Sequence, residues 1–193
     1  MSATLKTSSK PATRDRLRTA AAAEFNEAGY FGTDTNRIAR RAGFAPQTFY
    51  RHFDDKRAVF LAVYGDWQTQ ESQCVAAAVR AESEPGRKAA AAARALIAFH
   101  ARSAVFRRSL RLLAIEDSAV RQARVESRAA QIDALARLPG NVGRTHASLL
   151  AAVLKVERLC DALADGEVAD QTADVEAFAA EVETVVADAR GEV

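Results

Sequence analysis

The sequence predicts an all-α protein, and three observations carry that prediction. Apolar residues recur at three- and four-residue spacings along most of the chain. Alanine dominates a composition that is 49% hydrophobic, and only four prolines and nine glycines interrupt the 193 residues. No stretch alternates apolar and polar residues as a half-buried strand would, and no internal repeat competes with the helices. About nine helices are expected, arranged as a three-helix N-terminal head and a larger C-terminal helical core.

The first dozen residues are polar, with no hydrophobic segment of the secretory kind, and read as a flexible arm over 1–12. Thr13 to Tyr30 reads as an amphipathic helix with Leu17, Ala20, Ala21, Phe25 and Ala28 on one stripe and Gly29 closing it. Residues 33–56 describe two short helices joined by a tight turn. Ile38, Ala39, Ala42, Phe44 and Phe49 fall where they bury one face of each helix. Ala39 is small where the helices would cross, Gly43 can take the φ > 0 conformation of a sharp turn, and Pro46 suits the first position of a helix. This is a helix-turn-helix, and its second helix is sized to enter the major groove of DNA.

Asp54 or Asp55 can cap a long helix that opens with Lys56 and runs to about Ser83, where Glu84-Pro85-Gly86 breaks it. A helix from Arg87 to about Ser103 follows, with Ala93, Leu96, Ile97 and His100 inward, then a shorter one through Ile115. Glu116-Asp117-Ser118 reads as the start of a helix ending at Leu138, before Pro139-Gly140-Asn141. Two further helices span roughly 142–164 and 172–190, separated by Asp165-Gly166-Glu167. The domain reading is an arm over 1–12, a helix-turn-helix DNA-binding head over 13–55 and a helical core over 56–193.

The net charge of +2 hides a gradient: through residue 60 eleven Lys and Arg oppose six Asp and Glu, a net +5, which leaves −3 for the rest. A basic head on a mildly acidic body suits phosphate binding at one end. No run of apolar residues reaches the length of a membrane span. Cys74 and Cys160, far apart on expected helices, read as reduced thiols. His52, His100 and His146 lack the spacing of a metal pair, neither cysteine has a CxxC partner, and neither a nucleophile elbow nor a phosphate loop is present. These patterns point away from an enzyme, from a metal site and from any cofactor, and toward binding.

Ala21, Phe25, Glu27, Gly29, Tyr30, Thr33, Ile38, Ala39, Ala42, Gly43, Thr48, Phe49, Tyr50, His52, Phe53 and Lys56 together resemble the motif of the tetracycline-repressor (TetR) family of bacterial transcription regulators. The resemblance covers roughly residues 14 to 63. It implies a cytoplasmic homodimer that binds a pseudo-palindromic operator in double-stranded DNA and is released by a small-molecule effector, and it assigns effector binding and dimerisation to the core over 56–193. Gln47 and Thr48, early on the recognition helix, are the candidates for base-edge contacts, since Gln suits adenine and the Thr methyl suits thymine. By the matched motif Thr33, Tyr50, His52 and Lys56 would hold phosphates. Arg51 can reach a phosphate or a guanine, Asn36 and Arg37 are second-rank backbone candidates, and Ala45 and Pro46 open the recognition helix within the same DNA-contacting set. Four positions depart from the family pattern. Ala45 replaces a capping Ser or Thr, which removes about 1 kcal/mol. Gln47 replaces a common Gly, Asp34 places an acid beside expected phosphate, and Thr35 takes a usually apolar position.

For the core, an effector pocket is expected with apolar wall from Trp67, Phe99 and Phe106 and polar groups from Glu71, His100 and Glu157, taking a largely hydrophobic ligand. The resemblance implies pairing through the last two helices as a four-helix bundle, with Leu150, Val153, Phe178, Val182 and Val185 as interface candidates. Effector binding would move the long helix that begins near Lys56 and change the spacing of the two heads. The alternatives are a ligand-independent DNA-binding dimer and a helical partner-binding module whose basic head is incidental.

Overall fold

The computed structural model describes residues 12–192, so the expected arm over 1–12 lies, except for its last residue, outside the described residues. Among the described residues there are nine α-helices, two short 3-10 turns and no strand, the all-α architecture that the periodicity predicts. The chain divides into two compact units, the first ending at Val63 and the second beginning at Tyr64.

The first unit holds α1 (Thr13–Ala28), α2 (Thr35–Arg41), α3 (Pro46–Tyr50) and the opening turns of α4 (Lys56–Ala81). Leu17, Ala21, Phe25, Ile38, Ala39, Phe49, Val59 and Phe60 are fully buried and form its core. Phe25 meets Phe60 edge-on at 5.1 Å between ring centres. At the α2–α3 turn Gly43 has φ +78°, and a side chain there would also come 3.0 Å from the Arg16 guanidinium. That guanidinium donates to the Ala42 carbonyl at 2.7 Å and lies over the Phe44 ring, so Phe44 is half-buried. Asp34 caps α2 by accepting from the Arg37 amide at 2.8 Å, and Asp55 caps α4 by accepting from the Ala58 amide at 2.7 Å. Ala45 leaves α3 without a side-chain cap, and Pro46 stands at its first position.

The second unit holds the remainder of α4, a 3-10 turn over Pro85–Arg87, α5 (Lys88–Ala101), α6 (Ala104–Glu116), α7 (Ser118–Ala136), a 3-10 turn over Pro139–Asn141, α8 (His146–Ala164) and α9 (Val175–Arg190). Asp117, Thr145 and Asp174 cap α7, α8 and α9, which is why the last two begin later than apolar periodicity alone indicates. α9 packs on α5 and α8, burying Ala92, Ala93, Cys160, Val182 and Val186 together. Each such valine contributes roughly 1.5–3 kcal/mol by leaving water. α7 joins α8 through Ile132, Leu149 and Val153. The 3-10 turn before α8 meets the end of α9 so closely that a Cβ on Gly140 would stand 1.8 Å from the Gly191 carbonyl oxygen. Buried Asn141 completes that junction, donating to the carbonyls of Leu135 and Ala189 at 3.0 and 2.9 Å.

Candidate functional site

In the head, a buried carboxylate ties α1 to α2. Glu24 accepts from the Thr33 hydroxyl at 2.8 Å, from Arg37 Nε at 3.1 Å and from Arg41 Nη1 at 3.1 Å. Burial alone would raise its pKa, but the Thr33 hydroxyl and the two guanidiniums outweigh burial and hold it below the usual carboxylate range. Arg41 also binds Glu27 through both of its terminal nitrogens. The surface that remains is presented by α3. Gln47 and Tyr50 are exposed, Thr48 is half-buried, and Tyr50 Oη shares a hydrogen bond of 2.9 Å with Thr35 Oγ1 on α2. Thr35, a departure from the family pattern, thereby holds the tyrosine in place.

The remaining DNA candidates divide by exposure. Asn36, Arg37, Ala45 and Arg51 are exposed, while Pro46 and His52 are half-buried, and the His52 carbonyl accepts from Arg14 Nη1 at 2.8 Å. Thr33 is 5% exposed, with its hydroxyl committed to Glu24. Lys56 is turned inward as well. Its ammonium donates to the carbonyls of Tyr30 and Thr33 at 2.7 and 2.8 Å and lies 4.2 Å from the centre of the Tyr30 ring. Burial pulls its pKa below the usual lysine range, against the pull of Asp34.

The second unit contains a cavity of about 570 Å³, walled by α4, α5, α7, α8 and α9. Of the six effector candidates, Glu71, His100 and Glu157 line it. Trp67, Phe99 and Phe106 stack beside it as a buried aromatic cluster, with Trp67 at 5.1 Å from Phe99, 6.3 Å from Phe106 and 5.6 Å from His100. Trp67 Nε1 donates to Ser103 Oγ at 3.0 Å, which satisfies the one polar atom of the indole. Gln68, Gln131 and the Val75 and Val79 turns of α4 complete the wall. Neither glutamine carries a local signal that would have marked it in advance.

Behind the polar end lies a charge network. His100 bridges two carboxylates, with Nε2 at 2.9 Å from Glu71 and Nδ1 at 3.1 Å from Asp161. Burial alone would lower its pKa, but the bonds to Asp161 and Glu71 raise it above the usual histidine value. Arg107 clasps Asp161 with two bonds of 2.9 Å, and Arg111 Nη1 lies 2.7 Å from the same carboxylate. Against the opposing effect of burial, His100 and Arg107 hold Asp161 well below the usual carboxylate range. Burial pushes the neighbouring Cys160 thiol up to about 12. Both Cys160 and half-buried Cys74 are free thiols. Asp161, absent from the sequence candidates, stands inside the apolar run Leu159-Cys160-Asp161-Ala162-Leu163; a lone acid in such a run was the available signal.

The interface candidates are placed unevenly. Val182 is fully buried between α5 and α8, Val153 is buried against α7, and Leu150, Phe178 and Val185 are half-buried. The exposed faces of these helices carry Ala147, Ala151 and Leu154 on α8 and Ala177, Ala180 and Thr184 on α9. Among the described residues, no helix is long and apolar enough to cross a membrane, and no group of three His, Cys, Asp or Glu is arranged to hold a metal ion.

Residues 17–63 match the family model of the bacterial regulatory proteins, tetR family. Over 57 residues the chain is 35% identical to the uncharacterized HTH-type transcriptional regulator YdgC of Bacillus subtilis (strain 168), a match that spans 30% of this chain and 29% of that protein's length. Two crystal structures extend the likeness to the fold. A transcriptional regulator from Rhodococcus sp. RHA1 superposes with TM-score 0.72 at 18% identity, over 92% of this chain and 95% of that one. A TetR family transcription regulator from Marinobacter aquaeolei VT8 gives 0.63 at 18% identity, over 92% and 94%.

Proposed function

We propose that the chain, which belongs to the tetR family by its DNA-binding head, works as a cytoplasmic homodimeric repressor that leaves its operator when a small, largely apolar effector fills the core. The observation that carries this reading is the surface of α3: Gln47 and Tyr50 stand exposed on a head whose Glu24, Arg41 and Thr33 are tied to one another. A recognition helix held that firmly meets the major groove with its side chains already aimed. Gln47 and Thr48 would read base edges, and Tyr50 and Arg51 would bind phosphate.

The cavity favours effector control over ligand-independent binding, because a core that senses nothing has no need of 570 Å³ of empty space. The transmission element is α4. It lines the cavity from Gln68 to Arg80, and at its other end Lys56 is bonded to the carbonyls of the α1–α2 turn while Phe60 packs on Phe25. A shift of the first turn of α4 would therefore carry the head with it. An effector that prefers the non-binding spacing by about 2.7 kcal/mol would weaken DNA affinity roughly a hundredfold.

The test is selection of duplexes from a random pool, followed by anisotropy titrations of the selected site and a scrambled one at several salt concentrations. The selected site should contain two related half-sites about one helical turn apart. Gln47→Ala should cost about 1–3 kcal/mol on that site and almost nothing on scrambled DNA. Lys56→Ala should weaken both, and the salt slope decides its role. A phosphate contact lowers the slope by about 0.9 per head, whereas a lysine that only brackets the head leaves it unchanged. Failure to enrich any duplex would sink the regulator reading.

A further inference from the structure

The charges at the polar end of the cavity are already spoken for. Asp161 is held by Arg107 and Arg111, Asp165 by Arg111 and Arg108, and Glu157 by Arg128 at 2.7 Å and Arg124 at 3.1 Å. Glu71 has His100, whose two ring nitrogens each face a carboxylate oxygen. A proton must lie on each of those nitrogen–oxygen lines, because two acceptors facing one another would repel. None of these arginines lines the cavity; they stand behind the acids.

What the wall offers is a hydrogen-bond acceptor. Glu71 is 6% exposed and lines the cavity, and its Oε2 is met by Gln131 Nε2 at 3.4 Å, too long for a bond of full strength. Away from this end the wall is mainly apolar, with Val75, Val79, Leu96, Val156 and Val186, and Arg80 and Arg190 at its border. α4 supplies wall from Gln68 to Arg80, about 18 Å at ~1.5 Å per residue, so the space is elongated.

We propose that this cavity takes an uncharged, elongated apolar molecule with a hydroxyl at one end, an alkyl or aryl alcohol whose O–H donates to Glu71 Oε2. The proposal rests on the effector reading above and names the chemistry of that effector. A carboxylate head would meet Glu71 and Glu157 with no unpaired arginine beside them. An ammonium would add positive charge to a cluster in which five arginines and His100 already outnumber four carboxylates. Either ion would lose water without gaining a partner of its own. A hydroxyl can donate to Glu71 and accept from the Gln131 amide, which completes the site without charge. Arg80 and Arg190 also border the cavity, but Arg80 is exposed and Arg190 donates to Glu192 at 2.6 Å, so solvent and pairing weaken both as anion receptors.

Trp67 is the only tryptophan, and its ring lies 5.6 Å from that of His100, so its fluorescence reports on the polar end. Purified full-length protein would be titrated at pH 7 with 1-decanol, decyl methyl ether, decylamine and decanoate, following Trp67 emission and the thermal midpoint. Decanol should bind about tenfold more tightly than the ether, which lacks the donor, and at least about tenfold more tightly than either ion. Glu71→Met, checked by circular dichroism, should bind decanol and ether alike; if it does not fold, the wild-type series decides alone. Decanoate or decylamine as the tightest ligand, equal binding of decanol and ether, or an undiminished preference for decanol in Glu71→Met would each overturn the proposal while leaving an effector cavity in place. Silence of all four probes in both readouts would overturn the effector reading as well.

Discussion

Glu24 in the head and Asp161 in the core are both buried carboxylates with three side-chain partners each, and they differ in what surrounds those partners. Glu24 is held by Thr33, by Arg37 with a side chain 49% exposed, and by Arg41 at 35%. Asp161 is held by His100 at 2%, Arg107 at 3% and Arg111 at 29%. In the head a seven-residue α2 packs on α1 and a five-residue α3 packs on α2, helices too short to bury much apolar surface, and the network supplements a small core. Water can reach its cations when the carboxylate is lost. In the core two of the three cations, His100 and Arg107, are as deeply buried as the acid, so neither can lose its partner without being stranded away from water.

The largest expected effect follows from that difference. Asp161→Ala leaves Arg107 and His100 without their shared partner in a dry environment and should cost about 3–5 kcal/mol in urea unfolding followed by Trp67 fluorescence. Glu24→Ala exposes its arginines to water and strands only the Thr33 hydroxyl, a cost of about 1–3 kcal/mol. It should also loosen α2 and so weaken DNA binding. Equal losses from the two substitutions would break the distinction between a hydratable network and a dry one.

This contrast also marks what could be read in advance. The turns and helix starts of the head were legible, because Gly43, Pro46 and Asp55 act on neighbours within four positions. Helix order in the core was legible for the same reason, from Asp117 and the turn at Pro139-Gly140-Asn141. Partners distant in sequence were not. Arg107 finds Asp161 from 54 residues away, and nothing local distinguishes it from the exposed Arg108 beside it. A helical stripe identifies Trp67, Phe99 and Phe106 as inward, but it cannot separate a cavity wall from the packed layer beside it. Thr33 and Lys56 show the same limit in the head: their types suit phosphate, and only the folded chain turns the hydroxyl to Glu24 and the ammonium to two carbonyls.

A pH series sharpens the comparison, since the core network contains a histidine and the head network does not. The His100 pKa is raised in the folded state, so its pairing with Asp161 and Glu71 contributes in full below the unfolded value of about 6.5. That contribution is lost as pH rises through the folded value. Unfolding free energy should therefore decline above about pH 6.5, by at most about 1.4 kcal/mol per pH unit, and His100→Gln should flatten the decline. The carboxylates act at the other end of the scale. With their pKa values depressed, Glu24 and Asp161 contribute above the unfolded range near pH 4 and lose that share as pH falls through their folded values. An alkaline decline that persists in His100→Gln would place the titrating group elsewhere.

The smallest expected effect concerns α3, which like α1 starts from an alanine without a side-chain cap. Ala45 sits at the N-cap of α3 with φ −67° and ψ 150°, the extended geometry from which a serine hydroxyl reaches the amides of the first turn. Pro46 removes one of the orphan N–H groups and presets the chain, but the amides after it gain nothing from an alanine side chain. Ala45→Ser should therefore stabilise the head by about 1 kcal/mol, a gain available because α3 has only five residues and little else to hold its start. Amide hydrogen exchange resolves this better than global unfolding, since it reports opening of α3 separately from the core. Protection at Gln47 and Thr48 should rise about fivefold while that of α8 and α9 stays the same. Unchanged protection at α3 would mean that Pro46 and the Tyr50–Thr35 bond already hold the recognition helix closed.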